Sequence, residues 1–426
     1  MRWTDVPEEA DSADGFDTLS GAQNVCRLIR DEDKSIRPKP DPKKNDAPPT
    51  HIFIEGDNYP ALKLLEGEFS EKINFIYIDP PYNTGKNTFA YNDSRFLSEK
   101  STGGEKDKYS AWLSFMSRRL TYAKKLLSKD GCIFIAIAEE SLYVLKLLCD
   151  GIFGSENFIN NFMWLHGKGK KNRFSRTMQE STLCYAKSIR HLNNFIDFAE
   201  TNWAKTNADD DERGAWFSGS ISFDEKRSNP KHPNFFKVTS PFGKEWLRQW
   251  LVTKEEMNDL MRQNKIYWGK APLFDNVPRR KIFNGEKTKV IPKNIIDGVG
   301  STRAAQQHLD ALLAEKGSFD NPKPVDLIRH FLKIVNMKND ITVMDFFAGS
   351  GTTFEALVKQ NEADNGRRRC ILIQKPEEIK KGSKNLEGLN GSKGSKFKTI
   401  SSLCYERIKR TIPPNDGLDY FVLSKN

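Results

Sequence analysis

INFIYIDPPYNTG, residues 73–85, opens with a six-residue run in which only Asn74 is polar and closes on a loop stiffened by two prolines. A run apolar at consecutive positions, with no alternation, marks a strand buried on both faces, as in a parallel sheet covered by helices. HIFIE (51–55), CIFIAIA (132–138), ITVM (341–344) and RRCILIQ (368–374) have the same character. Segments of helical periodicity stand between them: the residues around Leu62 and Leu65, WLSFMSRRLTYAKKLLSKDG (112–131), ESLYVLKLLCDGIFG (140–154) and PVDLIRHFLKIV (324–335). Gly131 is expected to close the second of these helices, and Gly56-Asp57-Asn58 to turn the chain into the first. Strand and helix alternate, so the expected class is α/β with a mostly parallel sheet.

Asp79-Pro80-Pro81-Tyr82 directly follows its strand, at the carboxyl end where open α/β sheets place their sites. A carboxylate on Asp79 and the Pro80 carbonyl are two aligned acceptors for the hydrogens of an exocyclic amine such as adenine's. That nitrogen is a poor nucleophile because its lone pair is delocalised into the ring. Drawing it toward tetrahedral geometry needs acceptors held in place, and the Pro81 ring restricts the loop that holds them. Tyr82 offers a face on which a base can stack. The plainer alternative is loop punctuation, for which Asp-Pro and Pro-Pro are common. Asp345-Phe346-Phe347-Ala348-Gly349-Ser350-Gly351-Thr352-Thr353 also follows a strand and leads into a helix. Its glycines permit a tight turn and close backbone approach to a ligand. A strand-to-helix turn capped by a threonine would look similar.

Between about 160 and 300 the alternation dissolves. This third holds 25 Lys and Arg against 16 Asp and Glu, nearly the whole of the chain's formal +10. A local surplus of this kind points to a polyanion. Lys168, Lys170, Lys171, Arg173 and Arg176 form one basic loop and Arg279, Arg280 and Lys281 a second cluster, both suited to phosphate contacts; a solvated basic face is the alternative. The expected layout is an N-terminal extension and linker over 1–50, a first α/β half over 51–165, an inserted module over 166–300 and a second half over 301–426. SIRPKPDPKKNDAPPT (35–50) reads as linker and GSKNLEGLNGSKGSKFK (382–398) as a mobile loop. The six cysteines show no CxxC or Cys/His spacing, so neither a disulfide framework nor a metal site is expected. No stretch reaches the roughly 20 apolar residues of a membrane span, and the acidic start lacks the pattern of a secretory signal. A cytoplasmic, nucleoid-associated protein is expected.

DPPY and DFFAGSGTT together resemble the amino-methyltransferases of DNA, whose catalytic motif is [DNS]PP[YFW] and whose cofactor motif is FxGxG. Here the catalytic motif comes first and the cofactor motif about 270 residues later, which resembles the β-class order. YIDPPYNTG, WLSFMSRRLTYAKKLLSKDGCIFIAI, FDNPKPVDLIRHFL and DFFAGSGTT are similar to the modification subunits of type III restriction–modification systems, over roughly 50–165 and 318–412. The resemblance implies the Rossmann-like fold of S-adenosylmethionine-dependent methyltransferases, a mostly parallel seven-stranded sheet with an inserted target-recognition module. It implies methyl transfer from S-adenosylmethionine to the N6 amine of adenine in double-stranded DNA, the aspartate favouring adenine. The rival readings are cytosine N4 or RNA adenine as substrate, or a catalytically silent specificity subunit. Asp79, Pro80, Pro81 and Tyr82 would act on a base flipped out of the duplex. Asp345, Phe346, Ala348, Gly349, Gly351 and Thr352 would cradle the methionine part of the cofactor. Lys323 and Pro324 would lie beside its carboxylate, with Asp57 and Asn58 bordering its adenine ring. Gln374 stands where the family usually has an acid for the ribose hydroxyls, leaving Gln374 itself or Glu377 or Glu378 for that task. The implied partners are double-stranded DNA, a second copy of the chain and a restriction–helicase subunit, with no membrane.

Overall fold

The computed structural model describes residues 26–38, 49–83, 105–171, 174–200, 211–270, 273–274, 276–379 and 396–425. The consecutive apolar runs form strands whose two faces feed two separate cores. On strand β3, Phe75 and Tyr77 enter one core and Ile76 and Ile78 the other, as alternate side chains of a strand must. In chain order the larger unit contains β1 (Cys26–Arg30), β2 (Thr50–Glu55), α1 (Asn58–Phe69), β3 (Ile73–Ile78), α2 (Glu105–Leu126), β4 (Leu127–Ile137), α3 (Glu139–Phe153), β5 (Phe158–Lys171), β6 (Arg176–Ala186) and β7 (Ile295–Ile296). After these come α4 (Thr302–Leu313), α5 (Val325–Ile334), β8 (Thr342–Asp345), α6 (Thr352–Asp364), β9 (Arg369–Gln374), α7 (Ile400–Thr411) and β10 (Gly417–Lys425).

The strands form one sheet in the order β1-β10-β2-β9-β8-β3-β4-β6-β5-β7. The run from β10 to β4 is parallel throughout. β6 is antiparallel to β4 and β5, and β1 is antiparallel to β10. Helices α1, α2 and α3 cover one face through Leu62, Leu65, Trp112, Met116, Leu120 and Leu145. Helices α5, α6 and α7 cover the other through Ile328, Phe331, Phe354, Leu357, Cys404 and Ile408.

The α/β class is as expected, but among the described residues the sheet has ten strands in place of the expected seven. β1 arises from the stretch expected to be an N-terminal extension, β6 and β7 from the stretch expected to be an inserted module, and β5 runs from the first α/β half into that stretch. The second compact unit is narrower than 166–300, spanning Ile196–Ile291, because the β5–β6 hairpin extends the main sheet. That unit carries short antiparallel strands and a helix (Lys254–Arg262) around a core of Ile221, Val238, Trp246, Trp250, Met257 and Ile266. Gly131 does not close α2, which ends at Leu126; the glycine lies inside β4, where a Cβ would come 2.9 Å from the Ile73 carbonyl oxygen. The loop expected over 382–398 lies mostly outside the described residues. Among the described residues no helix is long and apolar enough to cross a membrane.

Candidate active site

β3 and β8 are parallel neighbours, with Val343 opposite Phe75 and Met344 opposite Ile76. The two motifs therefore leave the sheet side by side at the same end, although 266 residues separate their aspartates. The DPPY backbone is held from the helix side: Trp112 Nε1 donates to the Pro81 carbonyl at 2.7 Å and Ser141 Oγ to the Tyr82 carbonyl at 2.8 Å.

Asp79 sits in a polar cluster on this loop. The Tyr82 hydroxyl donates to Asp79 Oδ1 at 2.5 Å, and Lys323 Nζ donates to Asp79 Oδ2 at 2.8 Å. Lys323 Nζ also reaches the Tyr82 hydroxyl oxygen at 2.7 Å and Glu180 Oε1 at 3.0 Å, and that hydroxyl lies 3.1 Å from the same Glu180 oxygen. Burial would lower the Lys323 ammonium, but the Asp79 and Glu180 carboxylates overcome it and hold the group above its ordinary value. Burial, with the same two carboxylates, raises the Tyr82 hydroxyl and keeps it neutral. Lys323, expected beside a cofactor carboxylate, has its ammonium on the DPPY aspartate and on Glu180. Pro324 beside it is the N-cap residue of α5. Glu180, on β6, belongs to no motif. Its one sequence signal is a carboxylate just ahead of the apolar end of RTMQESTLCYA.

The glycine turn is latched from several sides. Asp345 accepts from Thr353 Oγ1 at 2.6 Å and from the Phe347 amide at 2.9 Å. Burial pushes its carboxyl up to about 7 against those two hydrogen bonds. Because that value lies above the ordinary 3.8, the stability Asp345 contributes is complete below 3.8 and is lost as pH rises through about 7. Asp345→Asn, neutral at every pH, should therefore gain in Tm relative to the parent between pH 4 and 8. Its lost acceptor is a constant offset, so a Tm difference that stays flat with pH would refute the assignment.

Gly349 has φ +54°, where a side chain is strained, and a Cβ there would lie 3.3 Å from Phe319 Cζ, so the Phe319 ring would have to give way to it. Its amide donates to Gln374 Oε1 at 2.7 Å, while Gln374 Nε2 donates to the Lys375 carbonyl at 3.0 Å. Gln374 therefore braces the turn through its amide oxygen, while its NH2 is held by the neighbouring backbone. Gly351, at φ +81°, and Thr352 face α7: a Cβ on Gly351 would lie 3.1 Å from Cys404 Sγ, and Thr352 Oγ1 accepts from Arg407 at 2.9 Å. Both, expected in the cofactor cradle, also pack the turn against that helix. Phe346 is in the core and Ala348 is buried. Asn58 Nδ2 donates to the Phe346 carbonyl at 2.7 Å. Buried Arg119, which the sequence reading missed, donates to Asn58 Oδ1 at 2.5 Å and pairs with Asp57 at 3.0 Å. Asp57 also accepts from the Tyr59 amide, capping α1.

The two basic clusters fall in different compact units. Lys168, Lys170 and Lys171 fall on β5, with side chains outside those described, and Arg173 lies outside the described residues. Arg176 is exposed at the start of β6. Arg279, Arg280 and Lys281 lie in one strand (Arg279–Phe283), so the middle residue points away from its neighbours. Lys281 is buried and paired with Asp211 at 2.9 Å, which removes it from the phosphate-binding set. Arg280 is paired with Glu286, and Arg279 donates to Ser218 Oγ at 2.6 Å while remaining exposed.

The family described as DNA methylase matches residues 73–385, which takes in both motifs, the cluster around Asp79 and the unit between them. The chain belongs to the DNA methylase family. It is 31% identical over 384 residues to the Mod subunit of the type III restriction-modification enzyme StyLTI of Salmonella typhimurium, covering 84% of this chain and 56% of that one. It is 34% identical over 425 residues to the EcoPI Mod subunit of Escherichia phage P1, covering 84% and 62%. The chain therefore spans less than two thirds of the length of either relative. Among solved structures, the PvuII DNA methyltransferase (cytosine-N4-specific) is similar at 14% identity and a TM-score of 0.39, covering 88% of this DNA methylase and 96% of that chain.

Proposed function

We propose that this DNA methylase transfers a methyl group from S-adenosylmethionine to the N6 amine of adenine in double-stranded DNA, within a restriction–modification system. The observation that carries the reading is the pairing of β3 with β8, which sets the Asp79 carboxylate and the glycine turn side by side at one end of the sheet. The turn fits the cofactor. Its Gly349 backbone has a conformation that strains a side chain and a neighbour that crowds one, and Asp345, Asn58 and Gln374 fix its shape by bonding its own backbone. Phe346, Ala348 and Gly349 would hold the methionine part, with Asp57 nearby at the start of α1. When bound, S-adenosylmethionine supplies a methyl already activated on a sulfonium.

The chain's own task is orientation. Asp79 and the Pro80 carbonyl accept the amine hydrogens, and the Tyr82 ring takes the base once it has left the duplex stack. Duplex DNA, a second copy of the chain and a nuclease–translocase subunit are the partners this reading implies. The test is to incubate the protein with S-adenosylmethionine and unmethylated duplex DNA, digest to nucleosides and weigh them. N6-methyladenine supports the reading; methyl on cytosine, methyl on RNA alone, or none overturns it.

Neutralising Lys168, Lys170 and Lys171 should weaken binding to all duplexes alike. The slope of log affinity against log salt should become shallower by up to roughly 0.9 for each phosphate that is no longer neutralised. A loss confined to one DNA sequence would instead make these lysines base readers.

A further inference from the structure

Glu180 is paired with Trp164 of β5 in the sheet, yet its carboxylate is turned to the DPPY loop. Among the described residues its hydrogen-bond and ion partners are Tyr82 and Lys323 alone. We infer that Glu180 is a positioning residue for methyl transfer: by sharing Lys323 with Asp79 it keeps that ammonium from neutralising the amine-accepting carboxylate. The inference rests on Asp79 being the amine acceptor.

Lys323 Nζ has three N–H donors and three oxygens within 3.0 Å, namely Asp79 Oδ2, the Tyr82 hydroxyl and Glu180 Oε1. Saturated in this way, the ammonium has one fixed place. Asp79 in turn receives one donor on each oxygen, which sets the plane of its carboxylate. Two carboxylates, one ammonium and a neutral Tyr82 leave the cluster one negative charge. An amine gains positive character as its nitrogen bonds to a methyl, and a net anion placed beforehand favours that change. Without Glu180 the cluster would reduce to a neutral Asp79–Lys323 pair, with the full charge of the lysine drawing on the oxygens the amine needs. Glu180→Gln removes the charge while keeping the size and an acceptor for both partners, so it isolates the electrostatic effect.

The experiment measures single-turnover transfer from tritiated S-adenosylmethionine to unmethylated genomic DNA by the full chain. The parent is compared with Glu180→Gln, Lys323→Gln, the double variant and Asp79→Ala, with melting temperature and S-adenosylhomocysteine affinity for each. Glu180→Gln is expected to slow transfer about ten-fold or more while melting and product affinity stay at the parent's level. The double variant is expected to be no slower than Glu180→Gln, because Glu180 acts by sharing the lysine. Transfer by Glu180→Gln at the parent rate overturns the inference, as does a loss matched by lower melting temperature, or a double loss equal to the product of the single ones. A parent that makes no N6-methyladenine, or an active Asp79→Ala, overturns the underlying reading instead, so the two failures are distinguishable.

Discussion

Asp79→Ala is expected to remove methyl transfer, by at least about 100-fold, while leaving cofactor and DNA binding close to the parent. The expectation follows from what Asp79 touches: Tyr82 and Lys323, neither of which holds the glycine turn. Removing it takes away an acceptor and one negative charge, and Lys323 keeps Glu180 and the Tyr82 hydroxyl as partners. No unpaired buried charge is created, so the fold should tolerate the change. Asp79→Asn is the sharper control, because the amide keeps the size and one acceptor but puts a donating NH2 where the second accepting oxygen stood. It should be nearly as inactive as the alanine variant if accepting amine hydrogens is the task. Normal turnover with weakened cofactor binding would show that Asp79 belongs to the cofactor site.

The strands and the two motifs were legible because each is a local pattern. A consecutive apolar run can only be a strand buried on both faces, and Asp345 and Asp79 stand immediately after such runs. What was not legible depended on pairing over distance. Glu180 meets Tyr82 across 98 residues, and Lys323 meets Asp79 across 244, and no periodicity carries such information. The expected boundary at 166 cuts through β5 and leaves β6 in the insert because the basic stretch between them resembles the insert's composition, whereas the apolar half of β6, STLCYA, decides its place in the main sheet. Lys281 failed for a related reason: three consecutive basic residues look like one patch in the sequence, whereas Lys281 is buried against Asp211, 70 residues away. Gln374, the departure from the usual acid, acquired a definite role only with Gly349 beside it.

Arg407 illustrates the same blindness with the largest expected cost in stability. It sits in ISSLCYERIKRT among Glu406, Lys409 and Arg410, where a solvent-facing cation would be expected, yet it is 1% exposed. Its Nε and Nη2 each lie 2.9 Å from Glu355 Oε2, and its Nη1 donates to Thr352 Oγ1 at 2.9 Å and to Ser350 Oγ at 3.1 Å. It therefore ties α7 both to α6 and to the glycine turn. Glu355 is equally buried; burial would raise its carboxyl, but Arg407, Lys359 and His308 hold it down to about 2. The stability that Glu355 contributes is present above the ordinary 4.5 and is lost only as pH falls through about 2. Arg407→Met keeps the apolar stem and deletes the charge, leaving Glu355 buried with only Lys359 at 2.8 Å and His308 at 2.6 Å, both considerably more exposed. Breaking one side of a buried pair of this kind costs about 3–5 kcal/mol. Affinity for S-adenosylhomocysteine should fall as well, because Ser350 and Thr352 lose the group that anchors them. Adding Glu355→Gln should restore part of the stability, since it removes the stranded charge, but should not restore the affinity, because the turn stays unlatched. Chemical denaturation and product titration on the single and double variants separate the two effects. If Arg407→Met unfolds at the parent's midpoint, the network is ornamental to the fold; if the double variant regains full affinity, the turn is held by something other than Arg407.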